Sequence, residues 1–387
     1  MQFNLKLTEK GAIYVTSQQP VDIHGKPYNR SLLVGVLLIG TFCTILNQTL
    51  LTTALPTLMK EFDISASSVQ WLTTGFLLVN GIMIPISAWL INKFSSKKLY
   101  ITAMSTFLIG TIICFVAQDF GMLLTGRLVQ AAGVGVSMPL LQTIMLSIFP
   151  PEKRGAAMGT TGIVIGLAPA LGPTLSGWII DSYTWRDLFG MVIPIVVLVL
   201  ILASFLMKNV IQLSNPSIDV LSVILSTLGF GSLLYGFSSV GDKGWGSPQV
   251  YGFLIVGAIV LCLFTYRQLH LEQPFLELRV FKSKVFTVAA ILSGVTNMAM
   301  IGAEMVLPLY IQNIRGESAF HSGLMLLPGA LVMGLMMPVT GRIFDKIGAR
   351  RLAITGMFIL TAATLPFAFL TKATPIIYII VLYAIRM

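Results

Sequence analysis

Eleven apolar runs divide this chain, and each is long enough to cross a bilayer. They fall at about 31–59, 68–92, 99–118, 121–148, 156–180, 188–207, 219–240, 250–269, 285–312, 320–344 and 350–371. A helix needs roughly 20 apolar residues to span a hydrocarbon core. Because lipid offers no partner for a free backbone group, such runs predict helices, and the fold class is all-α integral membrane. A twelfth run begins near Pro375 and has 13 residues before the sequence ends at Met387. By length that run is too short to cross, so a second bundle of helices is expected to be incomplete.

Charge agrees with this reading. Of 387 residues only 10% are charged and 55% are hydrophobic, against about 25% charged in a soluble protein. The net charge of +10 sits in short loops between the apolar runs, which argues against nucleic acid as a partner. With the N-terminus on the cytoplasmic side, 18 Lys and Arg residues face inward and five outward, the asymmetry that sets membrane orientation. Cys43, Cys114 and Cys262 lie inside apolar runs without paired spacing, so neither a disulfide framework nor a metal site is implied. No Gly-Lys-Ser/Thr phosphate loop is present, and no cofactor is expected. The expected divisions are a polar cytoplasmic leader (1–30), a six-helix bundle (31–207), two extra membrane helices with a cytoplasmic linker (208–284), and a partial second bundle (285–387).

An internal repeat points to transport. Residues 85–101, PISAWLINKFSSKKLYI, align without gaps on residues 338–354, PVTGRIFDKIGARRLAI, at an offset of 253. Upstream, Ala54-Leu55-Pro56 and Val306-Leu307-Pro308 match at an offset of 252. Repeated halves around a central site are a common transporter device.

The stretch from Gly155 to Phe189 is the most distinctive. Ala168, Gly172 and Ser176 form one small-residue face at four-residue steps, and Gly155 and Gly159 form another. Small faces let membrane helices approach closely. Pro169 and Pro173 bend or stiffen the same helix. A tightly packed structural helix would explain any two of these features. Together, Gly159, Ala168, Gly172-Pro173 and Ser176-Gly177 resemble the fifth-helix antiporter motif of the major facilitator superfamily, which usually has Gly at the positions of Ala168 and Ser176. The repeated loops resemble that family's motif between helices two and three. Its second copy fits through Gly341, Asp345, Lys346, Gly348, Arg350 and Arg351. Its first copy departs, with Ala88, Asn92 and Ser95 in place of Gly, Asp and Gly, while Lys93, Lys97 and Lys98 remain. The resemblance implies a gating role for Asn92, Lys93, Lys97, Gly341, Asp345, Lys346, Gly348 and Arg350; a cytoplasmic turn rich in positive charge would explain the lysines alone.

Helix one carries Asn47-Gln48-Thr49 and then Ala54-Leu55-Pro56, and so resembles the EmrB/QacA-like drug:proton antiporters, a branch with 14 helices that commonly has Asp where this chain has Asn47. Gln48 and Thr52 continue a polar stripe on that helix, which either lines a substrate path or bonds between helices. Arg127 and Gln130 in GRLVQAAGVG match the branch's helix four. An Arg within a span costs about 2.5–3.5 kcal/mol on insertion scales, so it faces a cavity or a partner. Glu304, on one stripe with Asn297, is the one acid deep in an apolar run. It is either a proton or cation-substrate site or a structural Glu bonded to a neighbouring helix.

The resemblance implies a multidrug or toxic-metabolite exporter of the plasma membrane that exchanges amphipathic small molecules for protons and is not an enzyme. Glu304 and Arg127 would couple the proton; Asn47, Gln48, Thr52, Gln130 and Asn297 would line the substrate path. A carrier for a single physiological solute and a transport-dead fragment are the alternatives.

Overall fold

A computed structural model describes residues 5–7, 13–15, 20–23, 25–51, 53–214, 219–272, 274 and 276–387. Near the start, β1 (Leu5–Leu7) pairs antiparallel with β2 (Ile13–Val15); among the described residues every later regular element, apart from an isolated bridge between Val21 and Pro27, is a helix. Among the described residues eleven helices are long and apolar enough to cross a membrane. The α-helices in order are α1 (Arg30–Leu50), the short α2 (Leu55–Phe62), α3 (Ala66–Lys93), α4 (Ser96–Phe115), α5 (Phe120–Ile148), α6 (Pro151–Ser182), the one-turn α7 (Asp187–Gly190), α8 (Val192–Leu206), α9 (Val220–Lys243), α10 (Pro248–His270), α11 (Lys284–Leu309), α12 (Ala319–Thr364) and α13 (Ile376–Arg386); α2 and α13 are too short to be counted among the eleven. The span assigned to Asp187–Leu206 joins α7 and α8, and α12 supplies two spans.

Two departures from the apolar runs have local causes. The first run splits because Pro56 sits in the opening turn of a new helix, α2, where its missing N–H costs nothing. The last two long runs are joined in α12, interrupted only at Gly348, whose φ of +78° breaks the helical path between them. That backbone angle favours glycine. At the matching position of the first copy, Ser95 has φ −61° and ψ 140°, an extended turn that any residue adopts, so serine is tolerated there.

Helices α1, α3, α4, α5, α6 and α8 share one large buried core, from Leu33 and Leu37 through Phe76, Phe107, Leu140 and Ile144 to Val196 and Val199. Close approach within it depends on small residues. A Cβ at Gly110 would meet the backbone of Gln130 and Gly126, so α4 and α5 touch main chain to main chain. Helices α9 and α10 pair with each other through Gly229 against Leu261 and Gly257 against Leu233. The pair docks on α3 where Trp71 meets Tyr235, ring centroids 5.9 Å apart. Residues of α11, α12 and α13 form a separate, smaller core around Leu307, Ile311, Met325, Leu326, Ile379 and Tyr383.

The connections lie at two ends of the bundle. The leader end holds Arg30, the Asn92–Lys98 turn and Asn209; here the Lys97 ammonium donates to the Ser204 carbonyl in the last turn of α8, and the Lys97 amide to Asn209 Oδ1 at 3.3 Å. The far end holds Arg186, which pairs with Glu61 at 3.2 Å and donates to the Ala117 carbonyl.

Candidate functional site

Two buried arginines organise the interior. Arg127, in the third turn of α5, is fully buried. One of its terminal nitrogens donates to Asn47 Oδ1 at 2.7 Å and to Gln130 Oε1 at 2.8 Å. Gln130 in turn donates to Thr111 Oγ1 at 2.8 Å, and Thr111 to the Phe107 carbonyl at 2.7 Å. The guanidinium lies over the Phe76 ring, 4.3 Å from its centroid. The Gly110–Gly126 contact sets this chain of bonds, because it brings Thr111 and Gln130 to the same level. Asn47 and Arg127, expected to act separately, are direct partners. Asn47 Nδ2 is left buried without a partner. The polar groups that hold Arg127 are all neutral, and it does not reach Glu304.

Arg386, the second buried arginine, ends α13. It donates to Thr364 Oγ1 at 3.0 Å and to the Ala299 carbonyl of α11. Glu304, half-buried on α11, is close enough to Arg386 and Tyr383 to interact electrostatically, but no ion pair joins it to Arg386. Glu304 lines a narrow pocket between the two groups of helices. Thr49, Pro169 and Pro173 form one wall; Glu304, Leu326, Ala330, Met333, Tyr383 and Met387 form the other. Its volume of ≈10 Å³ holds no more than about one water. Thr49 belonged to the helix-one motif without a role of its own and Tyr383 to no motif, and only the fold brings them to Glu304.

Helices α6 and α12 form the long antiparallel seam beside this pocket. Gly166 lies against Gly334, with only 3.0 Å between the site of a Cβ and the Gly334 Cα. Gly177 packs on the Ala319 carbonyl, and Gly323 on the Pro173 carbonyl. Thr174 Oγ1 donates to the Gly323 carbonyl at 3.0 Å. Gly172 faces Thr49 of α1, Ala168 is fully buried, and Ser176 accepts a 2.6 Å bond from Thr53 Oγ1. Of the small-residue motif, Pro173 and Gly177 meet α12, while Gly172 and Ser176 turn to Thr49 and Thr53 of their own helix group; Gly159, like Gly341, has open space where a Cβ would stand. The two helices touch from the far end to Gly162 and part toward the leader end.

The remaining sequence candidates are dispersed. Gln48 is half-buried on α1 beside the Arg127 cluster. Asn297 is exposed and donates to the Ser293 carbonyl of its own helix at 2.9 Å. Asn92 likewise donates to Ala88 at 3.0 Å, and Lys93 lies over Trp89, 4.6 Å from the ring centroid. Lys97 caps α8 within its own group of helices, and Arg350 is exposed. Thr52 and the side chains of Asp345 and Lys346 lie outside the described residues. Among the described residues there is no cluster of three potential metal ligands.

Comparison with known proteins agrees with this architecture. The sequence profile of the Major Facilitator Superfamily matches residues 37–387. The chain is 56% identical over 365 residues to the uncharacterized MFS-type transporter YcnB of Bacillus subtilis, covering 94% of this chain and 77% of that protein. It is 43% identical to the lincomycin resistance protein LmrB of Listeria monocytogenes, with 92% and 75% covered. It is 31% identical to the multidrug export protein EmrB of Escherichia coli, with 84% and 64% covered. Among solved structures, a POT family transporter in complex with a thioalcohol-conjugated peptide superposes with a TM-score of 0.68 at 16% identity, covering 95% of this chain and 82% of that one. At that identity the likeness speaks for the fold alone.

Proposed function

The chain belongs to the major facilitator superfamily, and we propose that this multi-pass membrane transporter exports amphipathic small molecules in exchange for protons. The observation that carries the reading is the pocket between the two helix groups. It is lined from both sides and contains one acid, Glu304, that lies within a membrane span. Ionisable residues at that depth mark ion and proton paths. The names of the relatives, lincomycin resistance and multidrug export, supply the substrate class and the direction of transport.

In this reading the leader end is cytoplasmic, which the Lys and Arg distribution supports. The seam is closed toward the outside and open toward the cytoplasm, an inward-facing arrangement. Glu304 takes a proton from the outside when the seam opens there, and loses it to the cytoplasm as substrate binds. Moving one charge across 100 mV yields roughly 2.3 kcal/mol, enough for about a fiftyfold gradient per proton. Arg386, at the end of α13, is the basic group nearest in role to Glu304 within its own helix group. Arg127 holds Asn47 and Gln130 in place and reaches Glu304 only through the movement of whole helices.

The test is energised transport in everted membrane vesicles. Addition of lincomycin or an amphipathic cationic dye to vesicles carrying the chain should dissipate a preformed pH gradient, and Glu304→Gln should abolish that response. A normal response from Glu304→Gln would remove Glu304 from coupling. A response to one compound only, across a panel of unrelated dyes, would favour a carrier for a single solute. Orientation is checked separately: reporters fused after Ser95 and Arg154 should read cytoplasmic, and those after Asp119 and Lys243 external.

A further inference from the structure

The far end of the α6–α12 seam carries a contact that no sequence motif announced. Asp181, in the last turn of α6, accepts a 3.0 Å hydrogen bond from the backbone N–H of Phe320 in the first turn of α12. The first turn of a helix has N–H groups with no partner inside the helix, and side-chain acceptors usually supply them from the residue just before it. Ser318 does so here, but only for His321. The next free N–H, that of Phe320, is satisfied from the other group of helices, by a carboxylate. Its negative charge also meets the positive end of the α12 dipole.

We propose that Asp181 is the latch of the outer gate, a residue that positions α12 against α6 while the transporter faces the cytoplasm. Three features separate this bond from ordinary packing. It joins the two helix groups rather than two helices of one group. It sits at the mouth, where Asp181 is exposed, whereas the Gly177–Ala319 and Gly323–Pro173 contacts behind it are main-chain approaches with no charge. Both of its partners are readily rehydrated once it breaks, so the contact can open and close in every cycle. The buried Gly–carbonyl contacts give the seam its shape, and Asp181 biases how often it is shut. This proposal rests on the alternating-access reading above and on the external placement of the far end.

The experiment measures access rather than transport. A reporter cysteine, Ala330→Cys, is placed on the pocket wall of the full chain, and the parent with its native Cys43, Cys114 and Cys262 serves as the blank. A membrane-impermeant maleimide is applied to one face at a time. A charge-assisted bond lost at an exposed position shifts the open fraction by roughly fivefold. Asp181→Ala should raise labelling from the outside by about that factor and lower it from the cytoplasmic side. Asp181→Asn keeps an acceptor oxygen and should fall between. Thr174→Val, which loses an uncharged bond on the same seam, should change the ratio less. Labelling rates unchanged in Asp181→Ala would overturn the latch. So would rates that rise together on both sides, the signature of general loosening. A rise from the cytoplasmic side with a fall outside would overturn the outer-gate assignment, together with the orientation it rests on. None of these outcomes requires a proton gradient or a substrate, so the latch and the proton-coupling reading fail independently.

Discussion

Arg127 and Arg386 occupy comparable places in the two helix groups, yet they are held in different ways. Arg127 is enclosed mainly by side chains, Asn47 from α1, Gln130 from its own helix and the face of Phe76 from α3, with a longer 3.4 Å bond to the Leu72 carbonyl. Arg386 is held by a threonine and a main-chain carbonyl. The internal repeat relates their partners, although the arginines themselves stand 259 residues apart. Thr364 stands at the offset of 253 from Thr111, and Ala299 at 252 from Asn47. In the first group the arginine reaches Thr111 through Gln130; in the second it bonds Thr364 directly. Where the first group supplies an asparagine side chain, the second supplies only the backbone of Ala299. The carboxyl of the second group, Glu304, sits one turn and more further along α11 and faces the pocket. One repeat has thus kept its polar cluster internal and locked, and the other has left an acid facing the gap between the groups. Locked and poised versions of one arrangement suit a carrier in which one group serves as frame and the other moves.

The largest expected effect would come from removing the locked arginine. Arg127→Ala leaves Asn47 and Gln130 as buried acceptors without a donor and opens a hole beneath Phe76. A loss of on the order of 3 kcal/mol is expected, read as a lower midpoint of thermal unfolding in detergent. Arg386→Ala should cost less, because Thr364 keeps its own bond to the Leu360 carbonyl and only the half-buried Ala299 carbonyl loses a side-chain donor. Equal losses would break the distinction between locked and poised sites. Arg127→Lys keeps the charge but not the planar fork that serves two acceptors at once, and should lie between wild type and alanine.

A smaller effect, of opposite sign, is expected from Asn47→Asp. The guanidinium there is fully buried among neutral partners. A carboxylate in place of the amide supplies a charge-assisted bond and removes the unsatisfied Nδ2. A gain of about 1 kcal/mol is expected in the same unfolding measurement. Destabilisation by Asn47→Asp would mean that the cluster depends on the amide rather than tolerating it.

The sequence made the spans legible because apolar length is a strong signal in lipid, and it made the close packing of α6 legible because Ala168, Gly172 and Ser176 recur at four-residue steps, although Gly172 and Ser176 meet Thr49 and Thr53 rather than α12. It also identified Arg127, Gln130 and Glu304 as residues too costly to be idle within a membrane. Their pairing was not legible. Asn47 and Arg127 lie 80 residues apart, and polar residues on a membrane helix face look alike whether they line a path or bond a neighbour. Asn297 shared a stripe with Glu304, but α11 approaches its neighbours mainly through its last turns, at Leu307 and Pro308, so the earlier turns of that stripe stay exposed. Asp181 was invisible for a related reason. Its partner is a backbone N–H, which no residue type marks.

The smallest expected effect lies outside both clusters, at the leader end of the extra helix pair. Asp219 precedes α9 and takes two bonds from Arg267 of α10, at 2.8 and 3.0 Å. Ser222 also donates to it, and Gln268, buried, ties Ser222 to the linker through the Leu276 amide. The Arg267 hydrogen bonds hold the Asp219 carboxyl at about 2, below its ordinary value of 3.8, against an opposing contribution from partial burial. A carboxyl depressed in the folded state contributes stability that is fully present above its unfolded value. That contribution is lost as pH falls from about 4 through about 2. Wild type should therefore exceed Asp219→Asn in unfolding midpoint at pH 5, and the difference should shrink steadily toward pH 2. Because Arg267 is partly exposed and the pair holds only α9 to α10, the shift should be smaller than any at Arg127. A constant difference between the two proteins from pH 5 to pH 2 would show that the pair acts through its hydrogen-bond geometry and not through the charge on Asp219.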